Sequence, residues 1–151
     1  MPRIAVVTDS SAFLPPEMVK QLGVHVIPLY MHFGQEAFRD GVDMAEAEFY
    51  DRLAACESLP TTSQPSVGDF VEFFRKVGAE ADAIVCVHLS SVLSGTVASA
   101  LGAKAALAEE AAKTGETVPD IQVVDTQSTS IGLALMVTAA VRAAREGLNA
   151  E

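Results

Sequence analysis

Short apolar runs alternate along this chain with longer stretches in which apolar residues recur every three or four positions. Ile4–Val7, Ile84–Leu89 and Ile121–Val124 are runs of strand length, the pattern of strands covered on both faces. Val24–Phe33 is a further extended run, and Gly34 turns it into a short return through Ala37 and Phe38 before the turn at Asp40-Gly41. Pro15 and Pro16 suit the first turn of a helix that Gly23 ends. Asp43 with Glu46 reads as a capping-box start, followed by Phe49, Leu53 and Cys56 on one helix face. Ser66 caps the next helix, whose apolar side carries Phe70, Phe73, Phe74 and Val77. An Ala-rich helix runs from Ser94 to Ala112 and ends at Thr114-Gly115. A last helix spans the region from Ser130 to Gly147. Strands alternating with helices predict a three-layer α/β domain with a mostly parallel central sheet flanked by helices.

The length of 151 residues, half of them apolar, suits one domain with a real core. A net charge of -10 argues against nucleic acid and anionic membrane surfaces as partners. The sequence has no apolar stretch of the roughly 20 residues needed to span a bilayer. Met1-Pro2-Arg3 leads straight into a strand rather than a signal-peptide core, so cytoplasmic residence is expected. Cys56 and Cys86 are isolated, which fits buried thiols rather than a zinc or disulfide framework. One carboxylate, Asp9, is too little to signal a metal, and no metal or cofactor is expected.

What changes this bland picture is the placement of hydroxyls. Thr8-Asp9-Ser10-Ser11, Ser90-Ser91-Val92-Leu93-Ser94-Gly95-Thr96 and Asp125-Thr126-Gln127-Ser128-Thr129-Ser130 each follow an apolar run, and Pro60-Thr61-Thr62-Ser63-Gln64-Pro65-Ser66 adds a fourth such stretch. Parallel sheets bind ligands beyond the carboxyl ends of their strands, so these groups suggest a site for an oxygen-rich head group. Ser94-Gly95-Thr96 opens a helix, where free N–H groups favour a carboxylate or phosphate and Gly95 permits close approach; Ser94 as a plain helix cap is the rival reading. Ser66 already caps its helix, so the surplus hydroxyls of Thr61, Thr62 and Ser63 point to something they face. Asp9 is placed to orient them. His25, His32 and His88 show no ligand spacing, and Asp125 suits loop bracing. Phosphate-loop, dinucleotide and nucleophile-elbow motifs are missing from the sequence.

In this order the segments resemble the DegV family of bacterial fatty-acid-binding proteins. Thr8-Asp9-Ser10-Ser11, Ile27-Pro28-Leu29, Asp40-Gly41-Val42-Asp43, Thr62-Ser63-Gln64-Pro65-Ser66, Ser90 to Thr96, and Val124-Asp125-Thr126 with Ser130 and Gly132 carry the likeness over essentially the whole chain. The resemblance implies a long-chain fatty acid in an apolar tunnel, its carboxylate held by Thr62 and Ser94, with Ser63 and Gly95 lining the pocket and Asp9, Ser10 and Ser91 in support. It also implies a carrier without chemistry of its own, which presents the carboxylate to a separate ATP-dependent fatty acid kinase for acyl phosphate formation.

Family members are about twice this long, so residues 1–151 correspond to the N-terminal domain and the C-terminal domain is expected to lie outside this chain. Val97 stands where an aromatic often follows Gly-Thr, and Ala134 replaces a frequent glycine. Two further readings remain open: a small α/β hydrolase or transferase using Ser94 or Asp9, and a truncated, non-binding fragment that forms a homodimer over an exposed apolar face.

Overall fold

A computed structural model describes residues 3–150; the Met1-Pro2 start used above lies outside the described residues. Four strands form the main sheet: β1 (Ile4–Asp9), β2 (His25–Ile27), β6 (Ala83–His88) and β7 (Asp120–Asp125), in the order β2-β1-β6-β7 and all parallel. Successive side chains on β1 and β6 face opposite sides, which divides the core in two. Val7, Ile84 and Cys86 pack under α3 (Val67–Gly78) and α4 (Thr96–Thr114), against Phe70, Phe74, Ala100, Ala103 and Leu107. Val6 and Val87 pack under α5 (Ser130–Arg145), against Leu133, Val137 and Val141, with Leu22 of α1 (Pro16–Leu22) at the margin. The expected three-layer α/β architecture is present.

The helix ends follow local chemistry. Pro16 opens α1, and Gly23 closes it in the left-handed conformation at φ 68°. Ser66 caps α3 through the Asp69 amide while Asp69 reaches back to the Ser66 amide, a complete capping box. Phe70, Phe74 and Val77 are buried along the inner face of α3, and Phe73 packs partly against the same cluster.

Three expectations need correction. The run Val24–Phe33 is two strands, because Pro28 has no N–H to continue a ladder: β2 ends at Ile27, and β3 (Tyr30–Phe33) starts a separate sheet. That sheet is antiparallel, in the order β4-β3-β5, with β4 (Glu36–Arg39) and β5 (Thr61–Ser63). The Thr/Ser stretch therefore contributes a strand to it, whose Thr62 pairs with Met31. Asp43 does not cap α2 (Glu46–Ala55). That helix starts at Ala45 without a side-chain cap, while Asp43 grips the Arg39 guanidinium at 2.7 and 2.9 Å. Lastly, Cys86 is buried as expected, but Cys56 is only half-buried just past α2. Burial pushes the Cys86 thiol up to about 12, which leaves it unreactive.

Candidate functional site

The loops after β1, β6 and β7 sit together at the carboxyl edge of the main sheet, as topology requires. All three non-glycine residues with positive φ among the described residues, Phe13, Gln127 and Ser130, lie in these loops or at the helix start that ends one of them, at 48°, 51° and 55°. Strained backbone of this kind concentrates where side chains must be aimed. Phe13, Val92, Leu93, Ile131 and Leu135 expose between 66% and 88% of their surface around the same edge.

The decisive local feature is Gly95. Its φ of -75° needs no glycine, so the missing side chain serves space. A Cβ placed there would lie 2.8 Å from Gln64 Nε2 and 3.0 Å from Gln64 Cδ. The close approach expected of a ligand is thus made by Gln64, and it joins the Thr62–Ser66 segment to the Ser94–Thr96 segment. A second close contact follows about two helical turns inward, where Gly102 of α4 accommodates Val67 of α3. Glycines thereby let the two helices lie side by side with their N-termini together at the sheet's carboxyl edge. The signal for Gln64 was available in the sequence as a helix-opening glycine without a turn to make.

Within this pair of segments Thr62 is exposed on β5, while Ser63, Ser94 and Gly95 are half-buried. The Ser94 hydroxyl lies 2.9 Å from that of Thr96 and accepts the Thr96 amide at 3.3 Å. Gly95, rather than Ser94, occupies the cap position of α4. Ser63 shares a 2.8 Å hydrogen bond with His32 Nε2. Among the described residues neither a histidine nor a carboxylate is hydrogen-bonded to the Ser94 hydroxyl, whose partners are in Thr96.

Asp9 does not orient the Thr61–Ser63 hydroxyls directly, because its hydrogen bonds go to Ser11, His88 and Leu89. It is fully buried at the end of β1, and its carboxylate accepts from the Ser11 amide and hydroxyl, from His88 Nδ1 at 2.9 Å and from the Leu89 amide at 3.0 Å. Burial opposes its ionised form, but hydrogen bonds from His88, Ser11 and Leu89 and attraction to His88 outweigh that and hold its pKa below the usual 3.8. Ser10 accepts the Leu29 amide at 3.0 Å. Ser91 donates to Asp125, which also accepts the Gln127 amide, so Asp125 braces the loops as expected. Ser10 and Ser91 thus tie neighbouring loops together.

Two depressions of 230 and 130 Å³ lie elsewhere. They are lined by residues such as Gly78, Leu107 and Pro119, and by Ile4, Gly23 and Val141, at the amino ends of the strands. Among the described residues no helix is long and apolar enough to cross a membrane.

Comparison with known proteins decides the family. A family profile described as "Uncharacterised protein, DegV family" matches residues 3–151. The chain belongs to the DegV family. It is 50% identical over 104 residues to a DegV domain-containing protein of Halalkalibacterium halodurans, covering 68% of this chain and 37% of that one. It is 35% identical to a DegV domain-containing protein of Streptococcus pneumoniae, covering 100% of this chain and 50% of the relative.

Among solved DegV structures, a fatty-acid-binding member from Thermus thermophilus superposes with a TM-score of 0.80 at 38% identity, over 97% of this chain and 49% of that one. A stearic acid-binding protein from Eubacterium ventriosum superposes with a TM-score of 0.84 at 31% identity, over 99% and 49%. The chain therefore spans about half, or less, of the length of these DegV relatives.

Proposed function

We propose that this chain is the carboxylate-gripping part of a fatty-acid carrier acting in the cytoplasm. Thr62 and Ser94 hold the acid group of a long-chain fatty acid, Ser63 and Gly95 line the same pocket, and Asp9, Ser10 and Ser91 support it. The observation that carries the reading is the Gln64–Gly95 contact, which unites the two hydroxyl-bearing segments at the carboxyl edge of the sheet. The fatty acids named for relatives of the same fold supply the ligand class.

Magnitudes divide the labour. Burying ~14 methylenes at ~0.8 kcal/mol each contributes up to ~11 kcal/mol. A hydrogen bond to a charged group nets about 1.5–3 kcal/mol. The tail supplies affinity, and the hydroxyls decide where the carboxylate points. The exposed apolar residues at this edge supply part of the tail's contact surface. The rest would come from a further domain or a second copy of the chain.

In the same reading the carrier performs no chemistry and needs no cofactor. A separate ATP-dependent kinase directs the carboxylate oxygen onto the γ-phosphorus of ATP. The bond between that phosphorus and the bridging oxygen breaks, and ADP leaves as the acyl phosphate forms. Neutral hydroxyl donors suit this step, because they orient the carboxylate without forming a competing ion pair.

The test is stearate binding, and acyl phosphate formation with a DegV-partner kinase, for the chain and for Thr62→Val and Ser94→Ala. Each substitution should lower both by about tenfold, a loss of one charge-assisted hydrogen bond, while leaving Tm nearly unchanged. Equal acyl phosphate yield in both variants would show that these hydroxyls are not the grip.

A further inference from the structure

Resting on the carboxylate-binding reading above, we propose that Asp9 is a positioning residue, acting with His88 to fix the spacing between Thr62 and Ser94. The route to Ser94 starts at its buried carboxylate, and the route to Thr62 starts at Ser10, the next residue along the chain. Toward Ser94, Asp9 Oδ2 accepts the Leu89 amide at 3.0 Å, and the carbonyl of the next residue, Ser90, accepts the Leu93 and Ser94 amides at 2.9 and 3.1 Å. Toward Thr62, the neighbouring Ser10 hydroxyl accepts the Leu29 amide at 3.0 Å, one residue before β3, whose Met31 pairs with Thr62. A third route serves the loop after β7. The His88 carbonyl accepts the Thr126 hydroxyl at 2.8 Å and the Thr126 amide at 3.2 Å.

The ring of His88 is part of the device. A carboxylate only accepts, so the 2.9 Å contact places a proton on Nδ1. Nε2 is buried with no hydrogen-bond partner, and the Phe70 ring meets the imidazole edge-on at 5.3 Å. Phe70 lies in the first turn of α3, directly after the Thr62–Ser66 segment. His88 therefore links the strand that leads to Ser94 with the helix that follows Thr62. Two residues earlier on the same strands the paired side chains are Val7 and Cys86, both apolar and fully buried. A charged carboxylate and an imidazole replace such packing only where the sheet meets its loops.

Asp9→Asn keeps the volume but sets an N–H₂ donor where the Leu89 amide and His88 Nδ1–H need acceptors. Stearate affinity should fall about tenfold or more, and the imidazole Nδ1 ¹⁵N signal of His88 should shift as it loses its carboxylate acceptor. Ile121→Val or Ile121→Ala, at the amino end of β7, is chosen to match the Tm loss of Asp9→Asn and should leave affinity unchanged. Unaltered affinity in Asp9→Asn, or an equal loss in the Tm-matched Ile121 variant, overturns the proposal.

If the unaltered chain binds no stearate, the fatty-acid reading fails, and the pair is judged by amide exchange. Exchange about tenfold faster at Leu29, Leu89 and Ser94 in Asp9→Asn, with Val137 and Val141 unchanged, supports it. Uniform acceleration, or none at those three amides, overturns it.

Discussion

At the scale of single residues, Gly95 shows how an omitted side chain creates a contact. Because its φ is ordinary, Gly95→Ala brings no backbone strain; it brings a methyl group within 2.8 Å of the Gln64 amide. Gln64 is exposed and flexible, so it can swing aside. The expected result is a stability loss of about 1 kcal/mol by urea unfolding, since glycine is preferred over alanine at a helix N-cap. Stearate affinity, by contrast, should fall several-fold in a calorimetric titration, because the two hydroxyl-bearing segments are no longer held together. A Tm drop that fully accounts for lost binding would show that the glycine serves folding alone. Hydroxyls in surplus of capping needs were visible in the sequence. Their partners were not. The pairing of Asp9 with His88 spans 79 positions, and nothing local to either residue indicates the other.

At the scale of elements, boundaries with a local chemical cause were legible and those set by pairing were not. Gly23, Ser66 and Gly115 mark helix ends by backbone preference or side-chain capping, and each end falls where they indicate. The second sheet was hidden because Thr61–Ser63 is too short to show alternation and becomes a strand only by pairing with β3. Asp43 misled for a similar reason. Its capping spacing to Glu46 is real in the sequence, but the cross-turn partner Arg39 offers a bidentate charged contact instead and pulls the carboxyl down to about 2. Ser66, by contrast, holds a full capping box, and Ser66→Ala should cost about 1 kcal/mol in urea unfolding. The same variant should raise the pKa of Asp69. Burial already pushes that group upward, and the two hydrogen bonds from Ser66 are the first of the contacts that hold it below 3.8.

At the scale of the whole molecule, acidity and the buried carboxylate act in opposite directions as pH changes. With a net charge of -10 at neutral pH and a pI near 4.6, mild acid relieves self-repulsion and favours the compact state. Asp9 has a folded-state pKa below its ordinary 3.8. Its contribution is therefore fully present above about 3.8 and is lost as pH falls through the lower folded value. Urea midpoints should rise gently toward the pI and fall steeply below it. The gap between the unaltered chain and Asp9→Asn should be widest at neutral pH and narrow below 3.8. A gap that stays constant into strong acid would mean that the ionised carboxylate contributes nothing to folding.

The small antiparallel layer differs from the main sheet in one respect that bears on ligand exchange. Its helix α2 contains no fully buried residue, and its packing rests on half-buried rings such as Phe33 and Phe49. Segments with so little shielding open at a fraction of the global unfolding cost. Thr62 rides on this loosely anchored layer, and Ser94 on the well-packed one. On the proposed reading, an acid group gripped between them would have an exit that leaves the main core intact: one finger lifts while the palm stays closed.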